Sequence, residues 1–104
     1  MQIQINTDKN IDGNNRLVDY FTTEIKNELA RFDDKITRVE VHLGDENSEK
    51  FGKNDKRCLI EVRVANMQPI AVTDHADTIE KALHSALTKI KKVVDTAHEK
   101  MRAH

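Results

Sequence analysis

One cysteine, one proline and three glycines are all that 104 residues contain of those types, and the aromatic complement is one tyrosine and three phenylalanines. A single cysteine excludes an internal disulfide and a thiolate cluster for zinc. Cys58 stands inside an apolar run, which fits a packed core thiol. With so few glycines there is no loop to cradle a phosphate in either common way, and no serine stands in a GxSxG elbow. Neither sign of charge dominates. Seventeen basic against eighteen acidic residues, net −1, exclude a protein that coats nucleic acid through bulk electrostatics, so any such binding must come from a local patch. No segment approaches the ~20 apolar residues of a membrane span. The start, Met1 to Asn6, has neither the basic residues nor the apolar run of a signal peptide, so the expected location is cytoplasmic.

What is present is periodicity. Hydrophobic residues at 38% and charged residues at 34% describe a polar globule with one core, read as a single domain over residues 1–104. Gln2 to Asn6 alternates polar and apolar, as a half-buried strand does. Thr7 to Asn15 breaks it with Asp8, Asn10, Asp12, Gly13 and Asn14, all turn formers. From Arg16 the period becomes helical, with Leu17, Phe21, Ile25, Leu29 and Phe32 as its stripe, Asn14 or Asn15 as N-cap and Asp33-Asp34 as its end. Ile36 to Leu43 alternates again, Val39, Val41 and Leu43 against Arg38, Glu40 and His42. Arg57 to Ala65 does the same, and the two strands are expected to pair as a hairpin with a long loop from Gly44 to Lys56. After the turn Asn66-Met67-Gln68-Pro69, a short strand covers Ile70 to Thr73.

Asp74 to His104 then reads as one long amphipathic helix, capped by Asp74 or Asp77. Ile79, Ala82, Leu83, Ala86, Leu87, Ile90, Val93, Val94, Ala97 and Met101 lie on its apolar face. The order β-α-β-β-β-α predicts an α+β two-layer sandwich, a four-stranded sheet with both helices packed on one face and the other face open to water.

Catalytic and metal chemistry find little support. His42, His75, His84, His98 and His104 form no HExxH arrangement, and His84 and His98 would lie roughly 21 Å apart on one helix. The paired carboxylates Asp33-Asp34 and Asp45-Glu46 sit in turn-like segments where acids are solvated. Nothing assembles a base, a nucleophile and an oxyanion stabiliser, so the chain reads as a non-enzyme without cofactor, metal or small-molecule substrate. Lysine is the remaining signal. Lys81, Ser85, Lys89, Lys92, Thr96 and Lys100 run along one flank of the last helix, while Glu80, His84, Lys91, His98 and Arg102 run along the other. Such cations can neutralise phosphates, or they can merely solvate a helix face. Lys50, Lys53, Lys56 and Arg57 form a second basic cluster, interleaved with acids. Stacking on single-stranded bases has only Phe51 and Tyr20 as candidates.

The element order, Phe32-Asp33 followed by Val39-Glu40-Val41-His42-Leu43, and Asp74 leading through Ile79-Glu80 into a lysine-bearing helix resemble the ribosome hibernation promoting factor family. That family is also called ribosome-associated inhibitors or sigma-54 modulation proteins. The resemblance implies this fold and a short form of the family, without the extra domain that long members use to pair ribosomes. It implies a translation inhibitor that binds small-subunit ribosomal RNA in the channel of messenger and transfer RNA under stress or in stationary phase. The RNA contacts would fall to Lys81, Lys89, Lys91 and Lys92, helped by Lys26, Arg31 and Lys35. The chain departs from the family at Val18, Glu24 and Asn27 on the first helix and at Ser85 and Thr88 on the last, where basic residues are common. Those departures leave a second reading, a protein interaction module on the same fold with a non-ribosomal partner. With either partner, short first and last strands leave edges through which two copies could pair as a homodimer.

Overall fold

Four alternating segments and two helical ones become a mixed sheet covered on one side. The computed structural model describes residues 1–9, 11, 13–46 and 55–102, the last two by their backbone alone. The strands are β1 (Gln2–Thr7), β2 (Ile36–Asp45), β3 (Lys56–Val64) and β4 (Ile70–Ala76), in the spatial order β1-β2-β3-β4. Helix α1 spans Asn15–Glu28 and α2 spans Ile79–Arg102. β1 runs parallel to β2, which requires the crossover that α1 supplies, and β2, β3 and β4 form an antiparallel meander. Asn10, Asp12, Lys50, Phe51, Lys53 and His104, and the side chains of Met101 and Arg102, lie outside the described residues.

Register aligns the apolar rows. Ile3 pairs with Val39 and Val39 with Val62, while Ile5, Val41, Ile60 and Val72 form the next row and Leu43, Cys58 and Asp74 the third. Because side chains alternate along a strand, these rows share one face. Against that face pack Phe21 and Ile25 of α1 and Ala82, Leu83, Ala86, Leu87, Ile90 and Val94 of α2, all buried. The opposite face carries Arg38, Glu40, His42, Leu59, Glu61 and Arg63.

Three sequence expectations are corrected. The first helix ends at Glu28 rather than at Asp33. A 3-10 turn over Ala30–Phe32 replaces its last turn, and the tighter winding brings Phe32 onto the side of Leu29, so both still reach the core. Val93, expected on the apolar face of α2, is 41% exposed, because it lies at the rim of the stripe centred on Leu83, Ile90 and Val94.

The third correction concerns the start of α2. Neither Asp74 nor Asp77 caps it. β4 runs on through Ala76, with the Asp74 carboxylate on the helix-facing side accepting the Ser85 hydroxyl. Thr78 is the cap, its Oγ1 accepting the Lys81 N–H at 3.1 Å and its carbonyl the Ala82 N–H at 3.0 Å. Thr78→Ala is therefore expected to cost about 1 kcal/mol in urea unfolding. Asp77→Asn, which touches only an exposed ion pair, should cost at most a few tenths. Equal losses for the two variants would reject Thr78 as the cap.

Candidate functional site

The two helices lie side by side and run in the same direction. Lys91 Nζ meets Glu28 Oε2 at 2.8 Å and Arg31 meets Asp95 at 3.1 Å, while Glu80 stands beside Leu17 and Tyr20 at the opposite end. Helix α2 carries six lysines and arginines against three acids, Glu80, Asp95 and Glu99, so a chain of net −1 concentrates positive charge on this element. Cations also occur on the open sheet face, but there each has a partner. Arg38 bonds Gln2, Gln4 and Glu40, and Arg63 approaches Glu61 at 3.9 Å. Surplus positive charge belongs to the helical side.

The structure divides the seven expected cations into two groups. Four are held by carboxylates remote in sequence or one turn away. Lys91 is fixed to Glu28, and the hydrogen bond and charge of Lys91 lower the carboxyl's pKa. Arg31 pairs with Asp95 and lies over the Phe32 ring at 4.6 Å, a cation–π contact that pins the guanidinium. Lys89 meets Asp74 at 3.3 Å. The Ser85 hydroxyl, the His75 N–H at 2.9 Å and Lys89 together keep the Asp74 carboxyl below its ordinary range, outweighing its partial burial. Lys81 reaches Asp77 at 3.2 Å, both exposed.

The other three, Lys92, Lys26 and Lys35, make no ion pair among the described residues. They do not share a patch. Lys92 is exposed on α2 and, with Val93, Thr96, Ala97 and Lys100, lines a shallow groove of about 340 Å³. Lys26 lies beside Met1, Ala30 and Asp33, on the flank of α1 turned away from α2. Lys35 follows the 3-10 turn, where its N–H donates to the Phe32 carbonyl and its carbonyl accepts the Ala65 N–H. Lys100, absent from the expected set, joins Lys92 because both lie along one flank, and the wheel spacing carried that signal.

Away from this surface, Lys56, His75 and Arg57 are held by carboxylates of the β2–β3 end of the sheet. Lys56 is held by Asp45 at 3.2 Å and Asp55 at 3.3 Å. Burial opposes its charge, yet the two carboxylates outweigh that and raise its pKa. His75 and Arg57 both meet Glu46 at 3.3 Å. Among the described residues no three His, Cys, Asp or Glu side chains converge to hold a metal ion, and no helix is long and apolar enough to cross a membrane.

The sequence model of the sigma 54 modulation protein / S30EA ribosomal protein family matches residues 3–102. The chain belongs to that family. Two solved structures share the fold of this family member. The Thermus thermophilus Protein Y N-terminal domain superposes with a TM-score of 0.72 at 17% identity, covering 90% of this chain and 96% of that one. A ribosomal subunit interface protein from Coxiella burnetii gives 0.71 at 16% identity, with 95% and 99% covered. No curated protein matches the chain by sequence. Where the resemblance expects a cation, this family member has Ser85, whose hydroxyl donates to the Asp74 carboxylate that Lys89 also meets.

Proposed function

We propose that this chain is a hibernation-type translation inhibitor that binds small-subunit ribosomal RNA in the channel of messenger and transfer RNA under stress or in stationary phase. Family membership over residues 3–102, spanning both helices, is the observation that carries this assignment. The local chemistry supports it, because the charge surplus lies on α2 and the opposite sheet face is internally neutralised. Lys92 makes the leading phosphate contact. Lys81 and Lys89 exchange exposed ion pairs, each worth little, for phosphates. Lys26 and Lys35 lie apart from this patch and make separate phosphate contacts near the end of the first helix. Lys91 and Arg31 reach RNA only from the seam, and their larger part is to hold the two helices in register.

The mechanism is occupancy rather than catalysis. A rigid helical layer with fixed cations fills a groove lined by phosphates, and counterion release drives the association. With about three phosphates neutralised, affinity for purified small subunits should fall roughly thirtyfold between ~50 and ~200 mM salt. Sedimentation through sucrose gradients over a salt series measures this. A chain that stays at the top of the gradient at low salt, with small subunits in excess, refutes the assignment. Binding that ignores salt would instead favour a protein partner through the open sheet face.

A further inference from the structure

The seam between the helices is bridged where α1 finishes, by Glu28–Lys91 and by Arg31–Asp95 just beyond it, but at the end where both helices begin it opens. There a groove of about 480 Å³ is lined by Asn14, Arg16, Leu17, Tyr20, Phe21 and Glu80. Its size falls within the ~300–1,000 Å³ of small-molecule sites. Two of its residues are placed against the interest of folding. Tyr20 is 59% exposed, an aromatic ring kept in water beside the buried Phe21, which it meets with centroids 5.6 Å apart and planes tilted by 51°. Arg16 stands in the first turn of α1, where the positive end of the helix dipole disfavours a cation and the turn itself carries no acid. Neither Arg16 nor Glu80 makes an ion pair among the described residues.

Ring, cation and carboxylate in one open groove match the parts of a nucleotide. An exposed tyrosine face stacks any base, a guanidinium takes a phosphate through paired N–H donors, and a carboxylate accepts from a base amino group or a ribose hydroxyl. We propose that this groove receives one unpaired ribonucleotide, its base on Tyr20, its phosphate on Arg16 and its 2′-hydroxyl or amino group on Glu80. The proposal rests on the RNA-binding assignment above and adds to it a specific contact, part stacking and part ionic, at the end of α2 opposite Lys92. A peptide occupant fits less well, because the groove is shallow and the charges flanking it, Arg16 and Glu80, have opposite sign.

Tyr20 is the only tyrosine and the chain has no tryptophan, so intrinsic emission reports on this groove alone. Titrating the full chain with hexauridylate should quench that emission saturably, with N-acetyltyrosinamide correcting for absorbance. Arg16→Gln should weaken the quenching and lower its salt slope by about 1. In gradients with small subunits, Tyr20→Ala should bind about tenfold more weakly at an unchanged salt slope, and Tyr20→Phe should restore binding. Unquenched emission at millimolar hexauridylate, or Tyr20→Ala binding as the wild type does, overturns the proposal. If salt-dependent sedimentation persists in either of those cases, ribosome binding stands and only the groove assignment falls. Quenching that responds to Arg16→Gln in a chain that never sediments with subunits supports the groove and rejects the ribosomal partner.

Discussion

The thiol of Cys58 is expected to stay silent toward a disulfide reagent at pH 8 while the chain is folded, and to react as soon as it unfolds. Cys58 is fully buried on β3, opposite Asp74 in register. Burial first, and the neighbouring Asp74 charge second, push its pKa up to about 12. At pH 8 that leaves a thiolate fraction of ~10⁻⁴, against about a quarter for an unfolded thiol of pKa ~8.5. Labelling should therefore be at least ~10³-fold slower in the native protein, before restricted access slows it further. Ellman's reagent across a urea series measures this, and the rate should track the population of unfolded chain. Asp74→Asn removes the smaller cause and leaves the larger, so native labelling should remain slow in that variant as well. Stoichiometric reaction of the folded chain within minutes would contradict both the burial and the role of β3 as a core strand.

Strand faces were legible because a period of two admits one answer once a face is buried. Val39, Val41 and Leu43 could only share the core with Cys58, Ile60 and Val62, and they do. Element ends were less legible. Asp74 and Thr78 are both good caps in isolation, and it is pairing with β3, together with contacts to Ser85 and Lys89 of α2, that keeps Asp74 in the strand. The lysine stripe was visible as spacing, but its electrostatics were not. Glu28, Asp74 and Asp95, which occupy Lys91, Lys89 and Arg31, come from three elements, and their meeting is a consequence of helix packing that no local pattern encodes. The groove at Tyr20 shows the same limit from the other side. Its ring was a candidate by composition and Arg16 lies one turn before it on the same helix, whereas Glu80 joins them only because the two helices run in the same direction.

Lys89 and Lys92 are the cations on which the family resemblance places the main contact, and their reversal should have unequal consequences. Lys92 makes no ion pair among the described residues, so Lys92→Glu removes a phosphate contact and adds a repelling charge without touching the core. Small-subunit binding should weaken on the order of tenfold and the salt slope fall by about 1, with stability within ~0.5 kcal/mol of the parent. Lys89→Glu sets a carboxylate beside Asp74, whose side chain is only 20% exposed. Binding and stability should fall together there, because two like charges then share a partly desolvated site. The double reversal should lose on the order of a hundredfold in binding. Asp74→Asn runs the other way. The amide retains a partner in Ser85 while Lys89 is released toward solvent, so the salt slope should steepen by about 1 and binding should tighten at low salt. Gradients over a salt series, with thermal melts of each variant, separate these effects. If Lys92→Glu sediments with subunits as the parent does at every salt concentration, the α2 face is not the RNA-binding surface, and Asp74→Asn should then leave binding unchanged as well.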